Sequence, residues 1–149
     1  MPKYVVDTNL YIEATRSDEA ADDLNAFHGR FLPHIHLHSV VAQELLAGAV
    51  RPELERRVRE KFVRPFEEEG RVLTPTHRSW TRAGEIMARL VRAKKLSPGG
   101  FKPSLVNDCL IAASAREFGF IVVTRNEQDF ALIGSVERVK VLPPWPLRP

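Results

Sequence analysis

The chain reads as an α/β sandwich, a parallel sheet with helices outside it, and two observations predict this. Five short β-type segments alternate with helical stretches. One of them, "FIVVT" (120–124), is almost continuously apolar and β-branched, as a strand covered on both faces must be. Alternation of this kind favours right-handed crossovers between parallel strands. In order, the strands are expected at 3–6, 35–38, 71–74, 120–124 and 139–142. The first is a short apolar run that stops at Asp7. Helices, marked by apolar periodicity or caps, are expected at 9–16, 18–27, 40–48, 52–69, 77–95 and 105–118. In the last, Leu105, Cys109 and Ala112 form one row and Val106, Leu110 and Ala113 the next, a broad apolar face. "LSPGGFKPS" (96–104), with two Gly and two Pro, reads as a loop. The four prolines of "PPWPLRP" (143–149) make an extended tail, with Trp145 docked on the body. The whole, 1–149, is expected to be one domain, with no internal repeat or low-complexity tract.

Composition narrows the functional classes. The chain has 149 residues, 44% of them hydrophobic, and no apolar run approaches the roughly 18 residues of a membrane span. Lys3 is followed so soon by Asp7 that no secretory apolar region is expected. The single cysteine, Cys109, makes no internal disulfide and suits a reducing cytoplasm. Charge is uneven: residues 1–27 hold two cations against six acids, and 28–104 hold fifteen cations against eight acids. A basic middle beside isolated acids suits a phosphate-bearing partner, although "RPELERRVREKFVRPFEEEG" reads equally as a solvated helix. Arg78, Arg82, Arg89, Arg92, Lys94 and Lys95 recur through the middle of the chain, either guiding such a partner or solubilising a helix.

In an open α/β sheet the functional crevice lies beyond the carboxyl ends of the strands. Asp7 ends the first strand, and Asn126 and Asp129 follow "FIVVT". Asp108 lies near the start of the helix leading into that strand, and Glu44 lies in the helix after "IHLHS". Oxygen donors from separate segments suit Mg²⁺ or Mn²⁺. Each has a plainer account: Asp7 as a helix N-cap, Asp108 against a helix dipole, and Asn126 or Asp129 as turn or cap residues. Glu44 is harder to explain this way, because an unpartnered acid amid "VVAQELLAG" is costly to bury and a metal would relieve it.

"VVDTN", "SVVAQELLAG" and "NDCLIAASAREFGFIVVTRNEQDF", in this order and spacing, resemble the motifs of PIN domains, and specifically of VapC-type toxin ribonucleases of toxin–antitoxin pairs. The resemblance runs from Lys3 to about Leu142. It implies a Rossmann-like three-layer sandwich with a five-stranded parallel sheet of order 3-2-1-4-5. It also implies a Mg²⁺- or Mn²⁺-dependent endoribonuclease, a homodimer, and a cognate antitoxin protein as partner. Carried over, the metal-binding acids are Asp7, Glu44 and Asp108. The fourth acidic position is Asn126 here, a neutral amide, so that corner is filled by Asn126 itself or by Asp129. Thr8, Asn9, Asn107, Thr124 and Arg125 would support the acids or meet the RNA.

Two rivals share the strand-end aspartate or the fold. An aspartyl-phosphate phosphoryl-transfer domain needs a lysine after a late strand, where this chain has Arg125. A non-catalytic RNA-binding domain has no need of Glu44 beside Asp7 and Asp108. "HIHLH" places His34, His36 and His38 at period two, an arrangement that favours a structural or interface role over zinc. Met87 and Trp80 are expected in the core or at an interface.

Overall fold

The structure is a computed structural model that describes residues 2–145. The end of the tail, 146–149, lies outside the described residues. The chain runs β1 (Lys3–Val6), α1 (Thr8–Arg16), α2 (Asp18–Phe31), a 3-10 turn (Leu32–His34), β2 (Ile35–His38), α3 (Ser39–Gly48) and α4 (Pro52–Val58). A π-helical turn (Arg59–Val63) then leads into α5 (Arg64–Glu68), followed by β3 (Val72–Leu73), α6 (His77–Arg92), α7 (Pro103–Phe118), β4 (Phe120–Val123), α8 (Glu127–Gly134) and β5 (Lys140–Leu142).

All pairings are parallel, in the order β3-β2-β1-β4-β5. β1 is central, with Tyr4 opposite Ile35 on one side and Ile121 on the other. Because the chain steps outward in one direction from β1 to β3 and in the other from β4 to β5, right-handed crossovers put α1–α5 on one face and α6–α8 on the opposite face. β1 and β4 are therefore neighbours whose following helices diverge, which opens a crevice at their carboxyl ends. The sheet that carries it is rigid: Val5, Val122, Val123 and Ile35 are fully buried, as are Ile86, Leu90 and Ile111 from the covering helices.

Several elements differ from the sequence expectation. The 52–69 helix is interrupted: Pro65 has no N–H to donate and its ring crowds the preceding turn, and the backbone widens so that the Arg64 N–H bonds the Arg59 carbonyl. The helix expected over 77–95 stops at Arg92, because Lys94 takes a left-handed conformation (φ 59°) and the N–H groups of Lys94 and Lys95 bond back to Val91 and Leu90. α2 runs four residues beyond the expected end before Pro33. β3 is only two residues long. The α8 helix was not expected; Asn126 and Asp129 were read as site, turn or cap residues, and Asn126 does cap it. α7 ends at Gly119, whose φ of 73° places it in the left-handed region and turns the chain into β4. Trp145 packs against Phe27, ring centroids 5.1 Å apart, as expected of a docked tail residue. Trp80 stands 58% exposed on α6, which removes the core from the two places expected for it and leaves the interface.

Candidate functional site

Asp7 leaves β1 at its carboxyl end and begins α1, so one residue serves the helix and the crevice together. Its Oδ1 accepts the Thr8 N–H at 2.8 Å, and its Oδ2 accepts the Thr124 hydroxyl at 2.7 Å. The residue is only 4% exposed. Thr124, one residue past β4, accepts the Asn126 N–H at 2.9 Å and lies 3.5 Å from the amide of Asn9. The Oδ1 of Asn9 is buried with no donor among the described residues.

Glu44 reaches the same edge from α3 and accepts the Thr8 hydroxyl at 2.9 Å, and the Asn107 side chain of α7 is near enough to favour its charged form. Asp108, 6% exposed, comes from the second turn of α7 and not from the first, so the helix-dipole account does not hold for it. Asn126 stands between the remaining acids. Its Nδ2 donates to Asp108 Oδ2 and to Asp129 Oδ2, both at 3.0 Å, while its Oδ1 accepts the Asp129 N–H at 3.4 Å and caps α8. Turning the amide over would set its oxygen against two carboxylates, so the network itself fixes this orientation.

Asp7, Glu44, Asp108 and Asp129 thus meet at one end of the sheet from four segments. No lysine or arginine forms an ion pair with any of them among the described residues. Burial, with added repulsion from Asp7, Asp129 and Glu44, pushes the Asp108 carboxyl up to about 8. Burial also raises Asp7 against the hydrogen bond from Thr124, and raises Glu44 against that from Thr8. A divalent cation would reverse both penalties. The donor set fits a hard ion: carboxylate oxygens, with the undonated Asn9 oxygen at the margin. Among the described residues no three acids, histidines or cysteines stand close enough to grip an ion unaided.

Arg125 is not aimed at this centre: its Nε donates to Glu13 of α1 at 2.6 Å. Glu13 carried no signal in the sequence, because its role depends on a partner more than a hundred residues away. The histidines form no row. His34 lies in the 3-10 turn, His36 packs edge-on to Phe120 with centroids 4.8 Å apart, and His38 caps α3, its Nδ1 accepting the Val40 N–H.

The sequence profile of the PIN domain matches residues 4–135. A curated relative, the tRNA(fMet)-specific endonuclease VapC of Shigella flexneri, is 30% identical over 141 residues, covering 91% of this chain and 96% of that protein. Among solved structures, a DNA-bound VapBC from Salmonella typhimurium is similar with a TM-score of 0.74 at 25% identity, covering 96% of this chain and 98% of that one. FitAcB from Neisseria gonorrhoeae shares the fold, with a TM-score of 0.71 at 20% identity over 97% of this chain and 99% of that one. The sheet order, the crevice acids and a profile match over most of the chain agree: this protein belongs to the PIN-domain family, with VapC-type nucleases among its relatives.

Proposed function

We propose that this protein is a divalent-metal-dependent endoribonuclease and the toxin of a toxin–antitoxin pair. The observation that carries the proposal is the gathering of four buried or half-buried carboxylates, without a cationic partner among the described residues, at the switch point of the sheet. Asp7 and Asp108 would hold Mg²⁺ or Mn²⁺ directly, with Glu44 and Asp129 reaching it through water. When bound, the ion acidifies water and offsets the charge that builds on a phosphodiester during hydrolysis. The chain's own residues supply orientation. Thr124 fixes one oxygen of Asp7, Thr8 fixes Glu44, and Asn126 holds Asp108 and Asp129 at a set separation. In this reading Asp129 is the fourth acid, and Asn126 positions it without ligating, since its oxygen already caps α8.

The aspartyl-phosphate alternative loses its basis, because the residue at the lysine position, Arg125, is engaged by Glu13. An antitoxin segment would lie in the groove between α1, α3 and α4, where Ile12, Leu45, Leu54 and Val58 form an apolar floor and Glu44 stands on the rim. The protein would act as a homodimer in the cytoplasm; no helix among the described residues is long and apolar enough to cross a membrane. The test is cleavage of RNA by purified protein with Mg²⁺ or Mn²⁺. Asp7→Asn and Asp108→Asn should each lower the rate by at least a thousandfold while melting cooperatively; retention of wild-type cleavage by either variant would sink the assignment.

A further inference from the structure

Cations at the two ends of the α6–α7 helix pair are used differently. α6 and α7 run antiparallel, because Thr76 and Ser79 at the start of α6 hydrogen-bond Glu117 at the end of α7. Arg82 and Arg116 lie toward that end and are both held by the buried Glu137. Arg89 turns to the carbonyl of Val136. The other end of the helix pair is different. The connection between α6 and α7 must lie at the carboxyl edge of the sheet, since α7 descends from it to the start of β4. Asp108 is in the second turn of α7, so this connection rims the acidic centre.

From Ile86 to Asn107 the sequence holds five cations and no acid. Four of them, Arg92, Lys94, Lys95 and Lys102, are exposed and form no ion pair among the described residues. Lys94 and Lys95 border an open depression of about 390 Å³ with Leu96, Ser97 and Pro98. Lys94 also occupies the left-handed position after α6, φ 59°, where glycine is free of steric cost and lysine is not. Its side chain is exposed and serves no packing role that would offset that strain.

We infer that the 92–102 connection is a phosphate-binding rim that holds single-stranded RNA across the acidic centre. A centre of four carboxylates repels a polyanion, and an acid-free cationic border supplies the attraction that brings the strand to it. The inference rests on the nuclease reading for its substrate class, and it adds where the strand lies and which side chains hold it.

The experiment measures binding of the full-length protein to a single-stranded RNA oligonucleotide in EDTA, so that no cleavage intervenes, over a range of salt concentrations. Lys94→Ala/Lys95→Ala/Lys102→Ala should weaken binding at least tenfold near 0.1 M salt. It should also reduce the slope of log affinity against log salt by about 2, the amount for three lost phosphate contacts on a single strand. Lys94→Gly gives a second reading that a structural role would not produce: its melting temperature should rise while its RNA affinity falls severalfold. Wild-type affinity and salt slope in the triple variant would overturn the inference. Because these readings need no metal and no catalysis, they stand apart from the Asp7→Asn test. Loss of cleavage in Asp7→Asn alongside unchanged binding in the triple variant refutes the rim alone, and retained cleavage in Asp7→Asn refutes the nuclease.

Discussion

Asn126 shows how one amide can do what a carboxylate at the same place could not. As a donor to Asp108 and Asp129, it joins two acids that would otherwise repel each other. Asn126→Asp replaces those two hydrogen bonds with a third negative charge in contact, a change that costs about 1–3 kcal/mol without metal. For a chain of this size that is a fall in melting temperature of roughly 3–10 °C, and saturating Mn²⁺ should recover most of it. Thermal melts of both proteins with EDTA and with Mn²⁺ decide the matter; equal melting in EDTA would remove Asn126 from the positioning role. As an acid amid an apolar helix, Glu44 was legible in the sequence by itself, while the same reading of Asp7 and Asp108 was legible only through the resemblance, since each also read as a helix cap or a dipole partner. The choice between Asn126 and Asp129 was not legible, because it depends on which way an amide turns, and its neighbours settle that only after folding. The spacing offered one clue: Asn126 and an acid three residues later is the pattern of a capped helix start.

At the scale of elements, the helix starts carry both structure and chemistry. α1 begins on Asp7 and α8 on Asn126, so the caps of two helices are also two corners of the site. α3 begins on His38, which caps through a neutral ring, its Nδ1 taking the Val40 N–H at 3.0 Å. Burial lowers this histidine to about 4, and burial with the nearby Arg71 lowers His28 to about 4 as well. Between pH 6.5 and 4 the unfolded chain therefore binds more protons than the folded one at these two positions, and their contribution to stability falls as the solution is acidified. For His38 alone the loss between pH 7 and pH 5 is about 2 kcal/mol. Asp108 works in the opposite direction, since its raised carboxyl takes up a proton in the folded state first. A comparison isolates the histidine: His38→Asn keeps a capping oxygen and should flatten the urea-derived stability between pH 7 and 5 relative to wild type. An identical slope in the two proteins would show that His38 does not titrate this way. The sequence did not reveal α8, the π-turn at Pro65 or the early end of α6, because each depends on one or two backbone groups and not on a repeating pattern.

Across the whole molecule, the sandwich and its strands were legible from alternation and from the two-sided burial of "FIVVT". Their order came from resemblance, because no local pattern records which strand lies beside which. The order matters for charge. It gathers four acids without cationic partners among the described residues at one edge of the sheet, while at the far end of the α6–α7 pair the buried Glu137 is clamped by Arg82 and Arg116. One end is thus satisfied by the chain itself, and the other holds carboxyls that burial and mutual repulsion raise. Binding of an ion to the folded state alone should then raise global stability by about 2.7 kcal/mol at a hundredfold excess over its dissociation constant. In a domain of this length that corresponds to a rise in melting temperature of roughly 5–11 °C with Mn²⁺. Asp108→Asn removes the carboxylate that burial and its three acidic neighbours most disfavour as an anion. In EDTA it should melt at or above the wild-type temperature, and Mn²⁺ should shift it by less than about 2 °C. Calorimetry of the two proteins with and without the ion reads both effects. A large Mn²⁺ shift preserved in Asp108→Asn would place the ion elsewhere on the surface, whereas its loss, together with the higher metal-free melting point, locates the molecule's unsatisfied charge at this edge of the sheet.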